Sequence, residues 1–156
     1  MKPNMPNISV IVCCYGGENT IEECLRSLLN QDLNRELFEV IIVDDGSKDK
    51  TSGIIKKFIK SNLKEKHNIF QYYRKTNEGL SIARNFGTEK SSAELVVFID
   101  EDAIAYRNYL STIVEYFNEN RGINCVGGKI ELYNDENNFA ELIQDSIFSY
   151  SIKTNN

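Results

Sequence analysis

Three acids in succession, Asp100, Glu101 and Asp102, follow the apolar run VVFI at 96–99. On an extended strand the side chains at i and i+2 share a face, so Asp100 and Asp102 would address one point while Glu101 turns away. Two converging carboxylates repel one another unless a cation stands between them. A hard divalent ion, Mg²⁺ or Mn²⁺, is the natural complement. An Asp-x-Asp pair also arises by chance, and the competing reading is a solvated turn. A second acidic cluster lies in VDDGSKDKT (43–51), where Asp44 and Asp45 precede a Gly-Ser turn. A carboxylate there can accept from a base N–H or a ribose hydroxyl, or it can simply help cap the next helix with Ser47 or Asp49. The third cluster, CCYGGEN (13–19), runs an apolar segment into two glycines. Such a turn lets backbone N–H groups approach an anion, although it is equally an ordinary strand-to-helix connection, lacking both the Gly-x-Gly-x-x-Gly spacing and a P-loop lysine.

The elements around these clusters alternate regularly. ISVIVCCY (8–15), LFEVIIVDDGS (37–47), NIFQYY (68–73) and ELVVFID (94–100) are apolar runs of strand length. Between them come helical patterns: Ile21, Leu25, Leu28 and Leu29; Ile54, Ile55, Phe58 and Ile59; and Leu80, Ala83 and Gly87, whose small members suggest close packing. A further helix carries Leu110, Ile113, Val114 and Phe117, and NCVGGKIELY (124–133) reads as one more strand bent at Gly127 and Gly128. The tail from 134 to 156 patterns as one helix through Phe139, Leu142, Ile143 and Ile147. Near-continuous apolar strands are buried on both faces, and right-handed crossovers through helices make them parallel. The class is α/β, an open and mostly parallel sheet flanked by helices. In such sheets ligands bind outside the carboxyl ends of the strands, where all three clusters fall.

Length and composition bound the rest. The 156 residues suit one domain, expected to have its core at 8–132. With 41% hydrophobic and 26% charged residues the chain is of the soluble globular type, and no run nears the roughly 18–20 apolar residues that span a bilayer. The start, MKPNMPN, has no secretory apolar core, so a cytoplasmic location is expected, with association at the inner face of the membrane as a variant of it. A net charge of −5 argues against a nucleic-acid partner. Cys13, Cys14, Cys24 and Cys125 form no Cys-x-x-Cys pair, so Cys13 and Cys14 read as small buried hydrophobes; His67, the one histidine, reads as an exposed turn residue.

Taken in order, SVIVCCYGGENTIEECLRSLLNQ, FEVIIVDDGSKDKT, NEGLSIARNFGTEKSSAELVVFIDEDA and VGGKI resemble the family 2 glycosyltransferases over nearly all of 8–131. The resemblance implies a GT-A fold, with a Rossmann-like nucleotide-binding half, and transfer of a sugar from a nucleotide-diphosphate donor, a UDP-sugar first, to a glycan, lipid or other cell-envelope acceptor. Position by position it implies that Tyr15 lines the base pocket, that Cys13 touches the base through its backbone, and that Asp45, with Asp44 beside it, reads base or ribose. It places Arg84 near the nucleotide, Asp102 on Mn²⁺ or Mg²⁺, and Asp100 close to ribose and metal. A divalent cation would stabilise the charge that develops on the departing diphosphate.

Two departures qualify the resemblance. Cys13-Cys14-Tyr15-Gly16 stands where the family usually has Pro-Thr-Tyr-Asn, and no general base is recognisable among the tail acids Asp135, Glu136, Glu141 and Asp145. The acceptor-binding half is therefore expected to be missing. A nucleotide-sugar-binding module without turnover is the alternative, and a nucleotidyltransferase, which would want a basic glycine loop near the start, is a more distant one.

Overall fold

The computed structural model describes residues 7–62, 68–130 and 149–150. The chain divides into two compact units, Met1–Val114 and Glu115–Asn156. In the first unit β1 (Ile8–Cys14), α1 (Ile21–Leu29), β2 (Phe38–Asp44), α2 (Thr51–Asn62), β3 (Phe70–Arg74), α3 (Leu80–Lys90) and β4 (Leu95–Asp100) follow one another, and α4 (Tyr109–Glu119) begins there. The sheet has the order β3-β2-β1-β4 with every pairing parallel, as the buried strand pattern predicts.

That order determines where the helices lie. The first two crossovers step one way across the sheet and the third returns past β2 and β1 to the far edge, so right-handed connections put α3 on the opposite face from α1 and α2. The core divides accordingly, because side chains alternate along each strand. Val10, Val12, Val40 and Ile42 pack with Leu25, Leu28, Ile55, Phe58 and Leu110 on one face; Ile11, Cys13, Ile41 and Val43 meet Ala83 on the other. Burying one such aliphatic or aromatic side chain contributes about 1.5–3 kcal/mol.

On the face of α3, the amino ends of the strands carry a polar network instead of apolar residues. Glu39, almost wholly buried, accepts from Ser9 Oγ (2.6 Å), Gln71 Nε2 (2.6 Å), and the amide and hydroxyl of Ser92 (both 2.7 Å). These bonds fasten the segment just beyond α3 to the sheet and satisfy a carboxylate that would otherwise be costly to bury.

Several expectations are corrected. Leu80, expected beside Ala83 and Gly87, is 48% exposed; only the small pair faces the sheet. Of the strand read over 124–133, the described residues 124–130 form strand only at β5 (Cys125–Val126), which pairs antiparallel with β6 (Ser149–Tyr150) in the second unit; residues 131–133 lie outside the described residues. Ser149 and Tyr150 are therefore strand, not part of a tail helix, while Phe139, Leu142, Ile143, Ile147 and His67 lie outside the described residues. Among the described residues no helix is long and apolar enough to cross a membrane.

Gly87 brings α3 against the sheet: a Cβ there would meet Ile11 Cγ2 at 2.5 Å and Val43 Cγ2 at 3.3 Å. At Gly53 of α2 a Cβ would meet nothing within 4 Å. Gly87→Ala is therefore expected to lower the unfolding free energy by about 1–3 kcal/mol through overpacking, and Gly53→Ala to raise it by about 0.5–1 kcal/mol through helix propensity and a less entropic unfolded chain. Urea denaturation of both variants checks the pair, and a Gly87→Ala variant as stable as the parent or more so would refute the packing assigned to Gly87.

Candidate functional site

The strand order reverses between β1 and β4, and the strands end nearly level there: Cys14 pairs with Asp44, Asp44 with Arg74, and Cys13 with Asp100. A crevice outside these carboxyl ends follows from the topology. Cys13, Tyr15, Asp44, Asp45, Asp100 and Asp102 stand on the strand ends and loops that border it and Arg84 on α3 beside it, while the tail acids Asp135, Glu136, Glu141 and Asp145 lie outside the described residues.

The two neighbouring acids of β2 have different surroundings. Asp44 is fully buried and faces inward. Its Oδ1 accepts from the Ser47 amide at 2.7 Å, while Tyr72 Oη and Arg74 Nε lie 2.8 and 3.5 Å from its Oδ2. Tyr72 Oη is also 2.9 Å from Ser52 Oγ; having one proton, it donates to the carboxylate and accepts from the serine. Burial first, and then the adjacent carboxylate, push the Tyr72 phenol up to about 12, against the hydrogen bond with Ser52. Asp44 thus organises the ends of β2 and β3.

Asp45 joins the β2–α2 loop to the segment leading into α3. Lys75 Nζ donates to its Oδ1 at 2.9 Å, the Gly79 amide donates to its Oδ2 at 2.8 Å, and the Glu78 amide reaches both oxygens at 3.2 Å. Lys75 also pairs with Glu78 at 2.6 Å. Burial alone would raise the Asp45 pKa, but the bonds from Lys75, Gly79 and Glu78 outweigh it and hold the carboxyl below its ordinary value. Gly46 completes the join at φ +82°, where a Cβ would sit 3.0 Å from the Asn77 amide nitrogen. Lys75 and Glu78 were not singled out in the sequence. The signal for them was available: the carboxyl-end rule applied to the third strand points directly at RKTNEG (74–79).

At the end of β1, Cys13 and Cys14 are buried on opposite faces and Tyr15 is 49% exposed. Burial, only partly opposed by Arg84, raises the Cys13 thiol to about 11; burial raises Cys14 further, and Cys24 of α1 to about 12, so these groups remain protonated near neutral pH. The glycine turn is already engaged by the neighbouring loop. The Gly16 amide donates to Ser47 Oγ (3.2 Å), the Glu18 amide to Asp49 Oδ2 (3.3 Å), and the Lys50 amide to Glu18 Oε2 (3.0 Å). Of the two sequence readings of CCYGGEN, these bonds favour a connection braced from within over a set of free anion donors. Asp49 also caps α2 by accepting from the Thr51 amide at 3.1 Å, as the sequence predicts.

At the third cluster the extended conformation does not persist. The strand β4 stops at Asp100, residues 101 and 102 form a turn, and the Ala103 amide donates back to the Asp100 carbonyl at 3.0 Å. Asp100 and Asp102 therefore share a corner through a turn, not through strand alternation. Glu101 lies against the glycine turn after β1: a Cβ on Gly17 would lie 2.9 Å from Glu101 Cγ. Arg84 of α3 donates from Nη2 to Asp100 Oδ1 at 2.9 Å, with its guanidinium 5.8 Å from the centre of the Phe98 ring. Asp100 and Asp102 are both exposed, and both offer hard oxygen donors. No group of three or more His, Cys, Asp or Glu capable of holding a metal occurs among the described residues.

The model of the family described as Glycosyl transferase family 2 matches residues 9–156. The chain belongs to that family. Among relatives of family 2, a Rickettsia bellii protein described as an uncharacterized glycosyltransferase is 34% identical over 145 residues, covering 93% of this chain and 20% of its own. The glycosyltransferase AglE of Haloferax volcanii is 28% identical over 153 residues, covering 98% of this chain and 49% of its own. This family 2 chain thus spans half or less of the length of either relative. Of the solved structures, S. aureus TarS 1-349 in complex with UDP-GlcNAc superposes with a TM-score of 0.63 at 33% identity, covering 72% of this chain and 31% of that one. The mannosyltransferase PcManGT of Pyrobaculum calidifontis, in complex with GDP-Man and Mn²⁺, gives 0.69 at 26% identity, covering 76% and 34%. The open parallel sheet with its flanking helices is the GT-A fold of these neighbours.

The Asp45 clamp makes stability depend on pH with a definite sign. Because the folded-state pKa lies below the unfolded one, its contribution is present above the ordinary carboxylate value near 3.8 and is lost as pH falls through the depressed folded value. Thermal melts between pH 7 and pH 3 should show Asp45→Asn destabilised at neutral pH and converging on the parent in acid. Parallel curves would show that Asp45 is not held by these partners.

Proposed function

We propose that this chain is the donor-binding part of a metal-assisted glycosyltransferase, which takes a sugar from a nucleotide diphosphate, a UDP-sugar first, and passes it to a glycan, lipid or other cell-envelope acceptor. The observation that carries the reading is the pairing of Arg84 with Asp100 at the switch point between β1 and β4, with Asp102 exposed in the turn that follows, in a chain of this family. The complexes of TarS with UDP-GlcNAc and of PcManGT with GDP-Man and Mn²⁺ support the donor class.

In this reading each side chain has a task. Tyr15, half exposed at the rim, offers its ring to the base, and the backbone of Cys13 borders it. Asp45 accepts from base or ribose while remaining anchored by Lys75, and Asp44 holds the loop from beneath. Asp102, with Asp100, holds Mn²⁺ or Mg²⁺. Two exposed carboxylates on one turn fit such an ion, since cations of this kind commonly take one or two protein carboxylates and complete their shell with substrate phosphates and water. When bound, the ion supplies positive charge to the diphosphate as it departs. Arg84 adds a fixed positive charge beside the same group. The general base belongs to the acceptor side and is assigned to no described residue.

Calorimetry with UDP tests the donor half. Binding is expected to strengthen with Mn²⁺, and Asp102→Asn should reduce the affinity in Mn²⁺ to the metal-free level; equal binding with and without the ion would overturn the assignment. The second reading is a nucleotide-sugar-binding module without turnover. Incubation with UDP-sugar and assay of released UDP separates the two, with no release above a metal-only blank favouring the module.

A further inference from the structure

This inference rests on the donor reading above and concerns how the same crevice is controlled. The acid at the end of β4 is not free. Arg84 Nη2 occupies Asp100 Oδ1 at 2.9 Å, in a pair whose side chains are 39% and 61% exposed. The pair is therefore formed where solutes can reach it. Arg84 is also turned toward β4 by the ring of Phe98. The neighbouring cations have other partners: Lys75 is held by Asp45 and Glu78, and Arg74 by Asp44 and the Ser47 carbonyl.

A guanidinium carries a permanent positive charge, so although Asp100 keeps lone pairs that a metal ion could use, Arg84 on its Oδ1 neutralises the carboxylate and repels a cation brought to it. We propose that Arg84 is a latch on the metal site. Without nucleotide it neutralises Asp100 and opposes a divalent cation at Asp100 and Asp102. A nucleoside diphosphate offers Arg84 phosphate oxygens that a guanidinium can engage through two parallel N–H groups. Transfer of Arg84 from carboxylate to phosphate frees Asp100 for the cation at the moment the diphosphate arrives. Metal and nucleotide thereby strengthen one another by the same factor, whichever binds first. The latch disfavours loading with metal alone. It acts beyond the direct contact between ion and diphosphate, and it predicts that removing a positive residue from a nucleotide site improves one half of its binding.

The test measures Mn²⁺ affinity by electron paramagnetic resonance of the free ion, first without nucleotide, for the parent chain, Arg84→Gln, Asp100→Asn and the double variant. Arg84→Gln is expected to bind Mn²⁺ about three- to tenfold more tightly than the parent, the scale of an exposed ion pair plus the removal of a nearby like charge. That gain should vanish in the Asp100→Asn background. Arg84→Lys, which keeps the charge, should stay within about twofold of the parent. Equal affinities of the parent and Arg84→Gln would overturn the latch, and so would a gain of the same size in the Asp100→Asn background, which would mark mere charge proximity. With UDP added, the nucleotide-induced rise in Mn²⁺ affinity should be smaller in Arg84→Gln than in the parent by about the factor gained without nucleotide. If UDP leaves every Mn²⁺ affinity unchanged, the donor reading fails together with the phosphate half of this proposal, whereas the nucleotide-free comparison still decides whether Arg84 guards Asp100.

Discussion

Two adjacent carboxylates are buried at the end of β2, and burial of charge is tolerable only when partners surround it. Asp44 recruits Ser47, Tyr72 and Arg74; Asp45 recruits Lys75 and the amides of Glu78 and Gly79. Since side chains alternate along the chain, the pair pulls in two directions at once. The loops after β2 and β3 are fastened as a result, and through Ser47 and Asp49 the glycine turn after β1 is fastened to them. Three of the four strand ends at the crevice thus share one hydrogen-bonded frame.

The fourth strand end is built differently. Asp100, at the exposed corner after β4, is tied by Arg84 on its carboxylate and by the Cys24 thiol 3.6 Å from its carbonyl, and the loop is next fastened only beyond the acids, where the Ala105 amide donates to Ser27 Oγ at 3.0 Å and the Tyr106 carbonyl accepts from Gln31 Nε2 at 2.8 Å. A site that receives a highly charged ligand gains from this division. Under the proposed donor reading, the braced side would present fixed shape to a base and a ribose, whereas the Arg84–Asp100 pair could exchange one ionic partner for another without unfolding anything.

Much of this was legible in the sequence because it depends on period and composition. The four parallel strands, the packing stripe of Ala83 and Gly87, the cap at Asp49 and the three clusters at the strand ends follow from apolar runs and turn residues alone. What could not be read is whatever depends on neighbours distant in the chain. Nothing local distinguishes Asp44 from Asp45, yet one points into the scaffold and the other toward α3. Leu80 has a helical period but sits one turn beyond the contact with the sheet. Asp102 follows a strand whose end is set by a turn that the alternation rule does not foresee, and β5 stops after Val126, where two glycines weaken the ladder.

Glu39 and Asp45 are six residues apart on or just past the same strand, and between them they catch the chain at both ends of α3: Asp45 at the Glu78 and Gly79 amides, Glu39 at Ser92. With Gly87 wedged against Ile11 in between, the helix is a beam pinned at either end and pressed down in the middle. A beam held this way resists sliding and tilting. Arg84 can therefore exchange partners by rotating its own side-chain torsions, a motion of picoseconds to nanoseconds for an exposed residue, so a rearrangement at the corner after β4 need not wait on the slower movements of a backbone.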